Sequence, residues 1–308
     1  MSLISPLRIG TRGSPLALAQ AHQTRDLLVA AHGLSPDTIE IRVIKTSGDA
    51  ILDRPLSEAG GKGLFTKELD IALIAGEIDM AVHSAKDLPT LLPDAIEVAG
   101  YLAREDVHDV WISPVAADPR ELPHGAKVGT ASLRRGAMLK RLRPDIEITL
   151  LRGNVQTRLR KLEDGECAGT LLALAGLRRL GLEDRATAIL PISDFLPAAG
   201  QGAIGITART GDGATAAALA PILCHDTGVA LAAERAFLAA LDGSCRTPIG
   251  AHAVTKGTRI RLHGLVLRTD GSEVFEELIE GAAADAAVLG GAAGEAIRAR
   301  LPAGFFQQ

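Results

Sequence analysis

The sequence is poor in residues that mark several classes of protein. Its 308 residues include only three cysteines, Cys167, Cys224 and Cys245, whose wide spacing gives neither a disulfide framework nor a metal-ligand pair. Aromatic residues make up only 3% of the chain, which argues against single-stranded nucleic acid binding through base stacking. We therefore expect no metal, and the cysteine usage favours a reducing compartment.

Long apolar runs are also missing. No stretch approaches the roughly 20 apolar residues that a membrane helix needs, and the most apolar run, residues 214–224, contains Pro221. Residues 1–10 lack the basic and apolar regions of a secretory signal. With 47% hydrophobic and 23% charged residues, the composition is that of a globular protein. We expect a cytoplasmic protein that binds no membrane.

Short β-rich runs alternate regularly with helical patterns. The predicted strand Leu7–Thr11 precedes Ser14, the N-cap of a helix that starts with proline, and residues 128–130 precede Ser132 in the same way. This alternation predicts an α/β fold with mostly parallel sheets, built as two similar lobes. From about Gly228 the pattern changes to a helix, three strands and a terminal helix, which predicts a small α+β domain.

Positive charge is concentrated in residues 127–179. This segment has twelve Lys and Arg residues against five Asp and Glu residues, in a chain of net charge −4. Four arginines follow predicted strands near helix starts: Arg12, Arg134, Arg135 and Arg152. Open α/β sheets bind ligands at such strand ends, helix N-termini attract anions there, and guanidinium groups match carboxylates. We expect a ligand with several carboxylates or phosphates.

Further candidate residues are Lys86, Asp87 and Cys245. A Lys-Asp pair on a surface contributes under about 1 kcal/mol, but at the end of a buried strand it is a candidate cation with an acid/base group. The neighbouring His83 is expected to be a structural core histidine. Cys245 lies in a predicted loop beside Arg246, and a nearby cation favours the thiolate. The residues alone leave open a covalent attachment site and an inert loop cysteine.

Eight motifs, in order along essentially the whole chain, resemble the porphobilinogen deaminase family. They are RIGTRGSPLA at 8–17, GGKGLFTKEL at 60–69, AVHSAKDLP at 81–89, GTASLRR at 129–135, LRGNVQTR at 151–158, AGLRRLG at 175–181, PAAGQG at 197–202 and the Cys245 loop at 242–250. Because each motif falls in the structural setting that the family has, the set is far more specific than any single motif.

The resemblance implies two periplasmic-binding-protein-like lobes around a cleft and a small α+β C-terminal domain that carries a cofactor. We expect the first lobe in residues 1–103 with 199–220, the second in 104–198 and the C-terminal domain in 221–308. The implied activity is that of a deaminating transferase, which joins four porphobilinogen molecules into the linear tetrapyrrole hydroxymethylbilane and releases ammonia. The implied cofactor is dipyrromethane, bound covalently through Cys245. A monomer that binds no nucleic acid is expected.

The resemblance also assigns roles to residues. Asp87 is the expected catalytic residue, whose carboxylate stabilises the cationic methylene-pyrrolenine left when ammonia departs and helps to move protons. Cofactor carboxylates are expected at Lys86, Ser84, Thr130, Ser132, Arg134 and Arg135. Substrate or the growing chain is expected at Arg12, Arg152, Arg158, Arg179, Gln201 and Lys62, the last in a mobile lid over residues 46–63. The adjacent Arg178 leaves the choice of Arg179 ambiguous by one position.

Two other functions are compatible with the fold and the charge. One is a two-lobed receptor for anions without catalysis, since a fold alone does not define a function. Such a receptor needs neither Cys245 nor Asp87. The other is a nucleic-acid-binding module that uses the charge of residues 127–179, against which the scarcity of aromatic residues and the strand-end placement of the arginines count.

Overall fold

The computed structural model describes residues 7–50, 63–241 and 247–305, with only the backbone at positions 49 and 50. These residues form two compact units. The first contains residues 7–50, 63–105 and 203–228, and the second contains residues 106–202, 229–241 and 247–305. The chain leaves the first unit after residue 105 and returns to it at residue 203. The boundaries expected for three separate domains stay a prediction.

Strands and helices alternate along most of the described residues. The strands are β1 (Leu7–Thr11), β2 (Ile39–Val43), β3 (Met80–Ser84), β4 (Ile96–Tyr101), β5 (Asp109–Ile112), β6 (Lys127–Gly129), β7 (Glu147–Thr149), β8 (Gly169–Ala173), β9 (Ala188–Ile189), β10 (Ile204–Arg209), β11 (Ile249–Lys256), β12 (Arg259–Leu267) and β13 (Val274–Ala282). The helices are α1 (Pro15–His32), α2 (Ser47–Ala50), α3 (Lys67–Ile74), α4 (Leu133–Leu142), α5 (Val155–Glu163), α6 (Leu174–Arg179), α7 (Gly213–Leu219), α8 (His225–Ala240) and α9 (Ala286–Arg298).

The two units contain five-stranded sheets of the same design. The strand order is β2-β1-β3-β10-β4 in the first unit and β7-β6-β8-β5-β9 in the second. In each sheet three neighbouring strands run parallel, β2-β1-β3 in the first and β7-β6-β8 in the second. One antiparallel strand, β10 or β5, separates them from the last strand, β4 or β9. The prediction of an α/β fold with two similarly built lobes is confirmed.

The C-terminal part is α+β, as predicted. Strands β11, β12 and β13 form an antiparallel meander, with α9 packed against β12 and β13. This sheet shares a hydrophobic core with the five-stranded sheet of the second unit, because Leu267 of β12 belongs to the same buried cluster as Trp111 and Phe195. The three side chains are at most 1% exposed, so apolar burial stabilises the two sheets together.

Local capping signals place the helix starts directly after strands. Ser14 and Ser132 each accept a hydrogen bond from the backbone N–H three residues later, at 3.3 and 3.4 Å, at the starts of α1 and α4. Asn154 does the same at the start of α5, at 2.9 Å. These caps satisfy backbone donors that a helix leaves unpaired. The sequence predicts helices over residues 133–142 and 155–163, and these caps explain why α4 and α5 begin there.

Other elements differ from the sequence prediction. The sequence predicts one strand over residues 170–175, but β8 ends at Ala173 and α6 begins at Leu174. Leu174 and Leu177 lie one helical turn apart and are both buried, so packing favours a helix at this point. Strand β4 and helix α7 were not predicted at all.

Within the described residues, two features are absent: a single membrane-spanning helix and a cluster of metal-binding side chains. No single helix among them is long and apolar enough to cross a membrane. The segments Gly213–Ile222 and His225–Ala240 meet the length and composition criteria only as a pair, which is bent by 110°. The same residues contain no group of three His, Cys, Asp or Glu side chains that could hold a metal ion.

Candidate active site

The first unit brings two groups of predicted site residues to one edge of its sheet. Strands β1 and β3 are parallel neighbours, so their carboxyl ends meet at the same edge. Arg12 follows β1 directly, and Ser84 is the last residue of β3. Lys86 and Asp87 lie in the 3-10 turn Ala85–Asp87, which continues from β3.

Arg12 and Asp87 form an ion pair at this edge. The Arg12 Nη1 atom lies 3.6 Å from the Asp87 Oδ2 atom, and the two side chains are 19% and 28% exposed. The Arg12 guanidinium also lies over the Phe65 ring, 4.1 Å from its centroid, in cation–π geometry. Arg12 is therefore held by two contacts, while the Asp87 side chain stays partly exposed.

Ser84 is held by a residue that the sequence analysis did not assign to the site. The Gln20 Nε2 atom of α1 donates a hydrogen bond to the Ser84 Oγ atom at 2.9 Å, and Gln20 is only 2% exposed. Gln20 lies in the middle of a predicted helix, where no sequence signal separates it from a packing residue. Its amide fixes the hydroxyl group that ends β3.

His83 is a core residue, as predicted. Its Nε2 atom lies 3.0 Å from the Thr207 Oγ1 atom of the neighbouring strand β10, and the residue is 5% exposed. Burial, with a smaller contribution from the Arg12 charge, lowers the pKa of His83 to about 3. The imidazole is therefore neutral at physiological pH and carries no charge toward the edge of the sheet.

In the second unit, the corresponding edge carries a buried carboxylate that the sequence analysis missed. Strand β5 runs antiparallel to β8, with Asp109 opposite Ala173. The first residue of β5 therefore lies at the carboxyl end of β8. Thr130 and Ser132 follow β6 at the same edge, with the Ser132 N–H donating to the Thr130 Oγ1 atom at 3.1 Å.

Asp109 binds both arginines that were predicted to hold cofactor carboxylates. Its Oδ1 atom accepts from the Arg135 Nη2 atom at 2.6 Å, and its Oδ2 atom lies 2.8 Å from the Arg134 Nη1 atom. The side chain of Asp109 is fully buried, and the arginine side chains are 5% and 6% exposed. Burial opposes ionisation of this carboxyl, but the two guanidinium groups hold its pKa below the ordinary value. These contacts thus restrict the side-chain conformations of Arg134 and Arg135.

Gln201 belongs to the same cluster, and Arg179 contacts the residue that follows Gln201. The Gln201 Nε2 atom donates to the Asp109 Oδ1 atom and to the Val107 carbonyl, both at 2.8 Å. The Arg179 Nη2 atom donates to the Gly202 carbonyl at 2.8 Å. The adjacent Arg178 is 42% exposed and faces Asp106 at 3.5 Å. The contact with Gly202 supports the choice of Arg179 over Arg178.

Of the remaining predicted residues, two lie in the described part of the chain and two do not. Arg152 is 8% exposed and lies just before α5, whereas Arg158, half-buried in α5, donates from its Nε atom to the Gly153 carbonyl at 2.9 Å. Arg152 lies in the short connection between β7 and α5, and the hydrogen bond to Gly153 brings Arg158 to that connection. Lys62 and Cys245 lie outside the described residues, so their assigned roles stay predictions.

The cluster around Asp109 fits an anionic group. Two buried guanidinium groups face one carboxylate, which leaves one net positive charge, and burial lowers the pKa of Arg134. The Arg134 Nε atom is buried with no hydrogen-bond partner in the described part of the chain. An unpaired buried donor of this kind is costly, and a ligand carboxylate would satisfy it. Fold and site together define an α/β protein whose arginines lie at the carboxyl edges of its sheets, where they suit an acidic ligand.

Comparison with known proteins identifies the family. The model of the porphobilinogen deaminase dipyrromethane cofactor binding domain matches residues 7–217, and that of the porphobilinogen deaminase C-terminal domain matches residues 229–299. The chain belongs to the porphobilinogen deaminase family. The predicted family, activity and dipyrromethane cofactor are thereby confirmed.

Individual relatives agree with this result. The chain is 59% identical over 298 residues to a porphobilinogen deaminase from Nitrobacter winogradskyi, covering 97% of this chain and 94% of that protein. It is 55% identical over 302 residues to one from Paracoccus denitrificans, covering 98% and 96%. A solved periplasmic substrate-binding protein of an ABC transporter from Coxiella burnetii is 13% identical, with a TM-score of 0.44 over 70% of this chain and 91% of that one. A likeness at that level says nothing about function.

Proposed function

We propose that this chain joins four porphobilinogen molecules, with release of ammonia, into hydroxymethylbilane on a dipyrromethane primer held covalently by Cys245. Family membership supports the reaction. Within the molecule, the proposal rests on Asp87, whose carboxylate lies 3.6 Å from Arg12 at the edge of the first sheet. A receptor for acidic ligands would use the arginine but would gain nothing from the aspartate.

Asp87 is the proposed catalytic residue. When ammonia leaves porphobilinogen, positive charge develops on the pyrrole, and a fixed carboxylate stabilises that charge. The same carboxylate can accept a proton and return it. Arg12 cannot take this role because a guanidinium is nearly always protonated. Its proposed part is to bind a substrate carboxylate and to orient Asp87.

The other site residues bind carboxylates. Every pyrrole unit carries an acetate and a propionate, so the growing chain accumulates negative charge that arginines can pair with. For substrate and growing chain we propose Arg12, Arg152, Arg158, Arg179, Gln201 and Lys62. For the cofactor we propose Ser84, Lys86, Thr130, Ser132, Arg134 and Arg135. When bound, dipyrromethane supplies the pyrrole carbon to which the first unit is joined.

We further propose a cytoplasmic monomer that binds neither nucleic acid nor membrane. The small number of widely spaced cysteines supports a reducing compartment. Carboxylates pair with some of the basic side chains, as Asp109 does with Arg135 and Asp145 with Arg143, at 2.6 and 2.7 Å. Less unpaired positive charge is left for a phosphate backbone.

The test is a turnover assay with porphobilinogen and the purified protein. We expect one ammonia released for each porphobilinogen consumed, and one hydroxymethylbilane for every four. Asp87→Asn, which keeps the shape of the side chain, is expected to stop both. Binding of porphobilinogen without ammonia release by the wild type would instead support the receptor. Light scattering after size-exclusion chromatography gives the oligomeric state.

A further inference from the structure

The buried cluster at the edge of the second sheet has an unusual composition. One carboxylate, Asp109, contacts three side chains that the proposed function assigns to ligand binding. Arg135 donates to its Oδ1 atom from Nε at 3.1 Å and from Nη2 at 2.6 Å. Gln201 donates to the same oxygen at 2.8 Å, and Arg134 approaches the Oδ2 atom at 2.8 Å.

These contacts join residues that are far apart in the sequence. Asp109 is 26 positions from Arg135 and 92 positions from Gln201. Arg134 and Arg135 also donate to backbone carbonyls, those of Leu196 at 2.7 Å and Leu171 at 3.0 Å. Each guanidinium is therefore fixed both by the carboxylate and by the main chain, which restricts the direction of its remaining donors.

The charges of the cluster do not balance. A buried charge is tolerated when it is paired, and here two cations share one anion. The cluster is left with a single positive charge and with the buried Arg134 Nε atom lacking a hydrogen-bond partner in the described residues. One ligand carboxylate would balance this charge and accept a hydrogen bond from the Arg134 Nε atom.

We propose that Asp109 is a positioning residue, whose buried carboxylate fixes Arg134, Arg135 and Gln201 as one donor array with a single net positive charge, matched to one ligand carboxylate. This inference rests on the proposed function, because the ligand it concerns is the dipyrromethane cofactor or the chain that grows on it. Asp109 itself does not touch the ligand in this account. Its effect passes through the three donors.

Asp109→Asn separates this role from simple charge attraction. An asparagine amide has one accepting oxygen and one donating NH₂ group. Whichever way it is oriented, the NH₂ group faces a donor from an arginine or from Gln201. One member of the array must then turn away, although the net positive charge of the cluster increases. Positioning predicts weaker binding of the cofactor, whereas charge attraction alone predicts equal or tighter binding.

The matched control is Asp79→Asn in the first unit. Asp79 also lies between two arginines, with its Oδ1 atom 2.7 Å from Arg8 Nη2 and 3.5 Å from Arg209 Nη2. Its side chain is 17% exposed, and it has no role in the proposed site. Losing this carboxylate removes comparable ion pairs without affecting the array. It therefore reports the effect of such a loss on folding alone.

The experiment measures cofactor content by intact mass, with chemical denaturation as the measure of folding. Apo-protein of the wild type, Asp109→Asn, Asp109→Glu and Asp79→Asn is titrated with porphobilinogen, and the fraction carrying the mass of two condensed units is recorded. We expect folded Asp109→Asn to need a roughly ten- to a hundredfold higher concentration for half-loading, the equivalent of one charge-assisted hydrogen bond. Asp79→Asn should load like the wild type, and Asp109→Glu, which keeps the charge, should load better than Asp109→Asn.

Equal or easier loading of Asp109→Asn overturns the proposal. So does failure of both Asp109 variants to fold, since Asp109 would then act through stability. If only Asp109→Asn fails to fold, cofactor uptake by Asp109→Glu becomes the test of the proposal. A folded Asp109→Glu variant that takes up no cofactor contradicts the proposal. A wild type that never gains the mass refutes the proposed function itself, which separates the two failures.

Discussion

The Arg12 guanidinium contacts both the Phe65 ring, with 4.1 Å to its centroid, and the Asp87 carboxylate, at 3.6 Å. The two charged residues follow adjacent parallel strands, so the sheet itself sets their separation. The Phe65 ring adds a cation–π contact to this ion pair and so further restrains the guanidinium. The pair thus combines a cation for substrate carboxylates with a carboxylate for the reacting pyrrole.

Replacing Asp87 by Asn or Ala is expected to abolish turnover and to leave the protein folded. General acid–base groups contribute typically about 10²–10⁴-fold to rate, and stabilisation of a developing charge adds to that. Asp87 is half-buried at an edge, so its loss should cost little stability. Turnover of porphobilinogen and the midpoint of urea denaturation are the measurements. Asp26→Asn, at an exposed site of α1, is the control, and near-normal bilane formation by Asp87→Ala would contradict the assignment.

Arg178 and Arg179 should differ sharply although they are neighbours. Arg179 is half-buried and bonded to the Gly202 carbonyl, next to Gln201, whereas Arg178 is 42% exposed beside Asp106. Arg179→Gln should raise the KM for porphobilinogen by roughly tenfold or more, the loss of one charge-assisted hydrogen bond. Arg178→Gln should change it less than about threefold, because exposed pairs contribute little. The reverse order in steady-state kinetics would move the assignment to Arg178.

His83 should make the protein less stable in acid. Its pKa is lowered from 6.5 to about 3 by burial, so the unfolded chain binds this proton between those values and the folded chain does not. Stability is therefore lost as the pH falls from 6.5 toward 3. Two units of pH within that window correspond to about 3 kcal/mol at most. His83→Gln should unfold with a flatter dependence on pH in urea denaturation, and an unchanged slope would mean that His83 does not remain neutral.

Two turn glycines of the C-terminal sheet offer a matched test of packing. Gly271 has φ +76°, and a Cβ added there would lie 2.4 Å from the backbone N atom of Arg141 in α4. Gly257 has φ +59°, but a Cβ there would meet nothing within 4 Å. Alanine at Gly257 should cost roughly 1–2 kcal/mol from the left-handed backbone. Alanine at Gly271 should cost about 1–3 kcal/mol more from overpacking, as measured by urea denaturation. Equal losses of unfolding free energy in the two variants would mean that the turn between β12 and β13 is not packed tightly against α4.

Helix starts were predictable because their signals are local. Ser132 and Asn154 cap α4 and α5 through hydrogen bonds three residues away, and both helices have the predicted bounds. Strand ends depend on pairing with distant residues, so they were predicted less well. For example, the sequence pattern predicts a strand over residues 39–45, but β2 ends at Val43.

The candidate site was predictable only in part. The edge positions of Arg12 and Asp87 follow from the order of strands and helices, which the sequence reveals. The contacts of Gln20 and Asp109 do not, because their partners lie 64 and 92 residues away in the chain. Nor does the sequence reveal that the first turn of α4 faces inward, where Arg134 and Arg135 meet a buried carboxylate.

The central claim is a covalent cofactor on Cys245, and intact mass tests it most directly. We predict that the purified wild type carries the mass of two condensed porphobilinogen units, or gains it when porphobilinogen is added to apo-protein. Cys245→Ser should lack this mass under both conditions, and Cys224→Ser should carry it. A wild type that stays unmodified before and after incubation with porphobilinogen, or a Cys245→Ser variant that carries the mass, would contradict the account.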